Sequence, residues 1–180
     1  MERLRIATVW LGGCSGCHMS FLDLDEFLIE LAGKVDIVFS PVIDIKRYPE
    51  NVDLALVEGA ICNVDHVEMI HQVRARTRTL VSFGDCAVTG NVPAMRNPLG
   101  KAEQVLQCAY IEGVDLSPAI PALKGIVPAL LDRVMPVHEV VRVDFYLPGC
   151  PPPAARIRSV VDQLLAGQTP RLEGENLKFG

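Results

Sequence analysis

Short apolar runs alternate with longer amphipathic stretches along the chain. The runs are rich in β-branched residues and predict strands, whereas apolar residues at helical spacing predict helices. The predicted strands span residues 4–11, 35–40, 52–59, 79–84 and 140–147. The predicted helices span residues 18–33, 63–78, 101–113 and 153–167, and the proline-rich region 114–137 is expected to be irregular with a short helix near 123–131.

Strands that alternate with helices predict a parallel sheet with helices on both of its faces. The strands are mostly continuous apolar runs, such as residues 54–57, which agrees with burial on both sides. The expected fold is therefore α/β, a doubly wound, mainly parallel five-stranded sheet. Since no repeat or linker is visible, residues 1–168 are predicted to form one domain and residues 169–180 a surface tail.

Composition narrows the range of functions. The 180 residues carry a net charge of −5, which leaves no basic footprint for nucleic acid. No apolar run reaches the roughly 18–20 residues of a membrane span, and the N-terminus lacks the order of a signal peptide. We therefore expect a cytoplasmic protein, in which the six cysteines serve as thiols, metal ligands or redox groups rather than as a disulfide framework.

Four of the cysteines follow predicted strands. Cys14 and Cys17 come after the first strand, Cys86 after the fourth and Cys150 after the fifth. Because the carboxyl ends of parallel strands share one edge of an open sheet, and ligands bind in the crevice outside that edge, these thiols are expected to converge. The sequence thus predicts a four-cysteine metal site.

An iron–sulfur cluster is favoured over zinc at this site. Structural zinc usually takes two Cys-x-x-Cys pairs, and this chain has one. Glycines and prolines surround the single cysteines, and proline after a ligating cysteine recurs in iron–sulfur loops. A thioredoxin-type dithiol at Cys14 and Cys17 is an alternative, but it leaves the other two thiols unexplained. Cys62 is held as a reserve ligand, and Cys108 is predicted to be a buried helical side chain.

The sequence indicates the roles of other polar residues near this edge less strongly. Glu58 ends the third strand and is either a solvated loop residue or a hydrogen-bonding or proton-carrying group beside the thiols. His18 is expected to cap a helix or to lie at the surface rather than to bind metal. Asp85 and Thr89 are expected to orient the Cys86 loop. The loop at residues 92–97 presents a methionine and an arginine that suit a protein contact.

The segments GGCSGCHMSFLDLDE, VEGAI, GDCAVTGNVPAMRNP and YLPGCPP together resemble the small subunit of nickel–iron hydrogenases. DIKRYPE and HEVVRVD bring the resemblance closest to the cytoplasmic, NAD-linked branch of that family. The resemblance covers residues 4–167. It implies a flavodoxin-like domain that holds one 4Fe–4S cluster on Cys14, Cys17, Cys86 and Cys150, with Glu58 matching the family's strand-three glutamate.

The resemblance also implies partners. The nickel–iron centre would lie on a large subunit, and an NAD-reducing diaphorase module with flavin and further clusters would exchange electrons with this chain. The related subunit of respiratory complex I has adjacent cysteines where this chain has Cys14-Ser-Gly-Cys17. F420-linked or membrane-bound hydrogenases stay open as alternatives. A flavodoxin-like FMN carrier without a cluster also stays open, although the loop after the first strand offers only the Ser15 hydroxyl to bind the FMN phosphate. FMN bound in addition to the cluster is a further alternative.

Overall fold

The computed structural model of the chain describes residues 3–177. The five predicted strands of the main sheet are confirmed, and two further strands pair with each other in a separate sheet. The strands are β1 (Leu4–Trp10), β2 (Val35–Phe39), β3 (Val52–Glu58), β4 (Ile61–Asn63), β5 (Thr77–Phe83), β6 (Leu130–Met135) and β7 (Phe145–Leu147). The α-helices are α1 (Gly16–Leu22), α2 (Glu26–Lys34), α3 (Val64–Arg76), α4 (Asp85–Thr89), α5 (Asn91–Ala94), α6 (Ala102–Gln107) and α7 (Ala154–Leu165).

The main sheet is parallel throughout and has the order β2-β1-β3-β5-β7. Helices α1, α2 and α7 pack on one face, while α3 and α4 pack on the other. The doubly wound α/β fold is therefore confirmed. Since β1 connects to β2 on one side and β3 lies on its other side, the strand order reverses between β1 and β3. A reversal of this kind opens a crevice at the carboxyl ends of the strands, where α/β proteins bind ligands.

Side chains that alternate along β1 form the two halves of the core. Ile6 lies in the apolar cluster beneath α1, α2 and α7, whereas Ala7 and Val9 lie in the cluster beneath α3. Each buried side chain of valine size or larger contributes about 1.5–3 kcal/mol. The burial of both faces explains why the strands are continuous apolar runs.

Two of the predicted helices are interrupted. The helix predicted over residues 18–33 is two helices, because the turn after Leu22 places Asp25 at a φ of 48° and redirects the chain. The helix predicted over residues 101–113 is α only as far as Gln107, and Cys108–Glu112 continues it as a π-helical turn. In contrast, Asn63 caps α3 as predicted, with its side-chain oxygen accepting from the His66 N–H at 2.9 Å.

The prediction of a short helix near residues 123–131 is wrong. Pro128 opposes helical continuation there, and the chain instead enters β6, which pairs antiparallel with β4. The last predicted strand, at 140–147, is reduced to Phe145–Leu147 after a 3₁₀ turn at Val137–Glu139. The strand prediction thus holds only for the three residues that pair with β5.

The chain after α7 continues along the molecule. Leu172 packs against the apolar cluster beneath α7, so this part of the predicted surface tail contacts the domain. Residues 178–180 of that tail lie outside the described residues. Across residues 3–177, no helix has the length and apolar character needed to cross a membrane.

Candidate metal centre

The carboxyl edge of the main sheet brings the four predicted ligand cysteines together. Cys14 and Cys17 follow β1, Cys86 lies in the first turn of α4 directly after β5, and Cys150 follows β7. Glu58 ends β3, the strand beside β1. These elements flank the position where the strand order reverses, so the topology that the sequence predicted places all five side chains at one crevice.

The segment that carries Cys14 and Cys17 is held in a fixed turn. Ser15 adopts a left-handed conformation with a φ of 65°, and the Gly16 N–H donates to Cys14 Sγ at 3.4 Å. The Ser15 hydroxyl donates to the Cys14 carbonyl at 2.6 Å. Cys14 is exposed, whereas Cys17 is buried in the first turn of α1. The turn therefore presents one thiol at the surface and one in the interior.

Asp85 joins the Cys86 and Cys150 segments. Its backbone N–H donates to the Gly149 carbonyl at 2.9 Å, and its side chain accepts from the Gly149 N–H at 2.6 Å. Because Asp85 precedes Cys86 and Gly149 precedes Cys150, these two bonds fix the spacing between the two thiol-bearing turns. The predicted loop-orienting role of Asp85 agrees with this geometry, and Thr89 contributes by donating to the Asp85 carbonyl at 2.9 Å.

Gly84 links the Cys17 and Cys86 segments. Its φ of 82° is one that side chains rarely adopt, and a Cβ there would lie 2.1 Å from Cys17 Sγ. Glycine is thus required both by the backbone and by the thiol that occupies the space of its missing side chain.

Burial and crowding of negative groups dominate the electrostatics of the thiols. Burial raises the pKa of Cys17 well above its ordinary value, and Glu58 and the other three cysteines raise it further. Burial also raises the pKa of Cys86 to about 11, with Cys150, Cys14, Glu58 and Asp85 acting in the same direction. A thioredoxin-type dithiol at Cys14 and Cys17 would leave Cys86 and Cys150 without a role, although both follow strands of the main sheet at the same edge and Cys17 interacts with each of them.

The four thiols fit the cofactor that the resemblance implies. A four-cysteine set is the usual ligand set of a 4Fe–4S cluster, in which each thiolate binds its own iron. Within residues 3–177, no three His, Cys, Asp or Glu side chains are arranged to bind one metal ion together. The missing side chain of Gly84 leaves the room at this crevice that the Cys17 thiol occupies.

Glu58 and His18 form a buried pair beside Cys17. Glu58 is 1% exposed, and its carboxylate accepts from the His18 N–H at 2.9 Å and the Cys17 N–H at 3.4 Å. The His18 ring pairs with the same carboxylate through Nδ1. Glu58 is therefore a buried hydrogen-bonding group, the second of its two predicted roles. The expectation that His18 caps a helix or lies at the surface is wrong, because its ring is drawn into the core by Glu58.

Three further residues act on the thiol-bearing segments and have no counterpart in the sequence predictions. Asn91 Nδ2 donates to Cys150 Sγ at 3.3 Å. Arg156 Nη1 donates to the Pro148 carbonyl at 2.7 Å, and Ser20 donates to the Pro152 carbonyl at 2.6 Å. Arg156 lies four residues before Val160 on the buried face of α7, a spacing that could have identified it as buried. Nothing in the sequence distinguishes Asn91 or Ser20.

The remaining cysteines have different surroundings. Cys62 is half-buried against Gly12, where its thiol donates to the Ala60 carbonyl at 3.5 Å and its N–H donates to His66 Nδ1 at 3.2 Å. Burial raises the pKa of the Cys62 thiol, although the charge of Arg96 opposes that shift. Cys108 is exposed, so the prediction that it is buried is wrong.

The loop predicted at residues 92–97 contains the helical turn α5. Met95 is exposed, as predicted for a contact residue. Arg96, however, turns inward and donates to the carbonyls of Leu131 at 2.7 Å and Cys62 at 3.3 Å. Of the two side chains predicted to suit a protein contact, the methionine is therefore the one left exposed.

Sequence comparisons associate the chain with redox proteins. The family model described as NADH ubiquinone oxidoreductase, 20 Kd subunit, matches residues 14–164. The delta subunit of the NAD-reducing hydrogenase HoxS of Cupriavidus necator is 38% identical over 172 residues, which span 92% of this chain and 80% of that one. A subunit of the F420-non-reducing hydrogenase of Methanothermobacter marburgensis is also 38% identical, over 98% of this chain. The chain spans 58% of the length of that relative.

Solved structures show the same relationship. The structure of an NAD+-reducing NiFe-hydrogenase in the H2-reduced state matches with a TM-score of 0.94 at 41% identity, covering 99% of this chain and 100% of that one. A reduced, active form of the Ni-Fe-Se hydrogenase from Desulfomicrobium baculatum matches with a TM-score of 0.55 at 16% identity, covering 97% of this chain and 69% of that one. The second likeness shows the shared fold alone.

Proposed function

Because the chain belongs to the family that comprises nickel–iron hydrogenase small subunits and the 20 kDa subunit of NADH:ubiquinone oxidoreductase, we propose that it is the electron-transfer subunit of an NAD-reducing nickel–iron hydrogenase. Cys14, Cys17, Cys86 and Cys150 would hold one 4Fe–4S cluster. When bound, this group supplies a one-electron redox centre. The convergence of the four cysteines at the strand-reversal crevice is the observation that carries the proposal.

The surroundings of the cysteines suit a group that exchanges electrons with another subunit. Cys14 and Cys150 are exposed while Cys17 is buried, so the crevice reaches the surface beside Cys14 and Cys150. The Gly16 N–H and the Asn91 amide already donate to two of the sulfurs. Hydrogen bonds to ligand sulfurs are one of the means by which a protein sets a cluster's reduction potential.

The proposal places the nickel–iron centre on a large subunit and the flavin and further clusters on NAD-reducing diaphorase subunits. Exposed apolar side chains support assembly with partners. In the irregular segment of residues 113–128, Leu116 is 83% exposed and Ile126 is 73% exposed. Clustered apolar residues on a surface usually mark a protein interface.

The NAD-linked branch is preferred over the F420-non-reducing one on structural grounds. The identity of 38% is the same for relatives of both branches and does not separate them. The match to the NAD+-reducing enzyme extends over that whole chain with a TM-score of 0.94. Since NAD+ is a coenzyme of the cytoplasm, a cytoplasmic location forms part of the proposal, and cell fractionation with an antibody to this chain tests it.

Co-purification tests the proposed function. The chain is tagged in its native host, the complex is isolated without oxygen, and nickel, released flavin and H2-dependent reduction of NAD+ are measured. We expect nickel, flavin on a partner subunit and reduction of NAD+. A complex that contains nickel and oxidises H2 but does not reduce NAD+ would move the chain to another hydrogenase branch. An intact complex without nickel, or flavin bound to this chain in place of iron, would contradict the proposal.

A further inference from the structure

Arg156 is a buried cation behind the Cys150 segment. Its side chain belongs to the first turns of α7 and is 8% exposed. Among the residues described, 3–177, it is the only buried arginine or lysine. A guanidinium remains charged at every physiological pH, and moving it out of water is costly. Such a residue calls for an explanation beyond packing.

Arg156 contacts the loop that carries Cys150. Nη1 donates to the Pro148 carbonyl at 2.7 Å, and the next residue, Gly149, is held through its N–H by the Asp85 side chain at 2.6 Å. Two buried side chains of opposite charge therefore hold consecutive residues of the loop that carries Cys150. Asp85 itself directly precedes Cys86.

The charge balance of the crevice explains why a cation is useful there. The carboxylates of Glu58 and Asp85 are both buried at this edge of the sheet, and four thiolates would add to their negative charge. Reduction of a cluster places one more electron in these surroundings. A buried cation nearby lowers the energy of the reduced state more than that of the oxidised state, since screening by solvent is weak in the interior.

We propose that Arg156 is a positioning residue for Cys150 and that its buried charge raises the reduction potential of the cluster, an inference that rests on the proposed function. The planar fork of arginine suits the first role, because it donates in a fixed direction to the Pro148 carbonyl. Its permanent charge suits the second.

Redox titration of the intact complex tests this inference. The electron paramagnetic resonance signal of this cluster is identified as the signal that disappears in Cys150→Ala, and its midpoint potential is measured in Arg156→Gln and Arg156→Lys. We expect Arg156→Gln to bind iron and to favour the oxidised cluster about tenfold more than the wild type, a shift of about 59 mV to lower potential for one electron. Arg156→Lys keeps the charge and should shift by less than half as much.

Arg158→Gln is the matched control, because it removes a charge from the same helix at an exposed position. Arg158 lies over the Phe27 ring at 4.5 Å and pairs with Asp162 at 3.8 Å, and its replacement should leave the potential unchanged. An unchanged potential in Arg156→Gln, or an equal shift in Arg158→Gln, would overturn the inference. Loss of iron from both Arg156 variants with an intact fold would overturn the role given to the charge, because positioning of the Cys150 loop would then be sufficient to explain the residue. If the wild type itself has no signal that depends on Cys150, the proposed function fails instead.

Discussion

At the residue scale, the candidate site depends on places where small side chains leave room for sulfur. The thiol of Cys17 occupies the space that a side chain at Gly84 would need, and the thiol of Cys62 occupies the corresponding space at Gly12. The Glu58 carboxylate also accepts hydrogen bonds from the backbone N–H groups of Cys17 and His18. These contacts fix the thiols before any iron is bound, which lowers the cost of ordering them.

Gly84→Ala should disrupt the site. The new Cβ would lie 2.1 Å from Cys17 Sγ on a backbone whose φ is 82°, and we expect a loss of about 1–3 kcal/mol in the free energy of unfolding from strain and overpacking. Bound iron should fall with it. Gly33→Ala is the control: nothing lies within 4 Å of its Cβ, so it should stabilise α2 by about 0.5–1 kcal/mol. Urea denaturation and iron assays measure both, and equal effects of the two substitutions would refute the steric account.

Glu58→Gln should destabilise the chain by about 1–3 kcal/mol, because an amide N–H2 group would replace an oxygen that faces backbone donors in the core. The carboxylate is 1% exposed and accepts from two backbone N–H groups. Glu68→Gln, at an exposed position of α3, should change the free energy of unfolding by less than about 0.5 kcal/mol. Urea unfolding of both variants checks this. An unchanged free energy of unfolding in Glu58→Gln would show that the carboxylate is dispensable for folding.

At the element scale, the main sheet was predictable because its central strands β1, β3 and β5 are largely buried on both faces and therefore contain long apolar runs. The convergence of the four cysteines was also predictable, because the carboxyl ends of parallel strands meet at one edge of the sheet. The pairing of β4 with β6 was not, since these short strands lie outside that sheet and have no such signal. The burial of His18 also depends on a partner, Glu58, that is 40 residues away.

Asp144 connects β7 to β5 and explains where the last strand begins. Its carboxylate accepts from the Leu80 N–H at 2.9 Å and from Arg74 at 2.6 Å. Burial, the largest single influence, raises its pKa, but the bonds from Arg74 and Leu80 and the charge of Arg142 bring it below the ordinary value of 3.8. A lowered pKa means that the ionised carboxylate stabilises the fold above pH 3.8 and that this contribution is lost as the pH falls toward the folded pKa.

Asp144→Asn should therefore lower the free energy of unfolding by about 1–3 kcal/mol at pH 7. The difference from the wild type should shrink below the ordinary carboxyl pKa of 3.8, because the unfolded chain then takes up a proton before the native carboxylate does. Asp162→Asn breaks an exposed pair with Arg158 and should change stability by less than about 1 kcal/mol. Urea unfolding between pH 3 and pH 7 checks both variants. A difference that is independent of pH would contradict the role given to the charge.

At the scale of the whole molecule, the chain combines a well-packed sheet with an unusually apolar surface. Both faces of the sheet are covered by helices, yet residues 113–128 leave several large aliphatic side chains in solvent. A subunit of a larger complex explains this contrast, because its partners would cover that surface.

Hydrogen exchange should detect the burial of residues 113–128 by partner subunits. In the intact complex, the amides of residues 113–128 should exchange at least about tenfold more slowly than in the dissociated chain, since local opening is suppressed when partners bury the segment. Residues 44–47 are also exposed but mostly charged, and we expect no change there. Equal exchange of residues 113–128 in both states would show that another surface mediates assembly.

The proposed function requires that Cys14, Cys17, Cys86 and Cys150 hold one 4Fe–4S cluster. Iron and acid-labile sulfide per complex are therefore compared between the wild type, Cys150→Ala and Cys108→Ala. Cys108 is an exposed cysteine outside the crevice, so Cys108→Ala should match the wild type. Cys150→Ala should lose about four irons and about four sulfides. Unchanged iron in Cys150→Ala, or the loss of one zinc ion instead, would contradict the account.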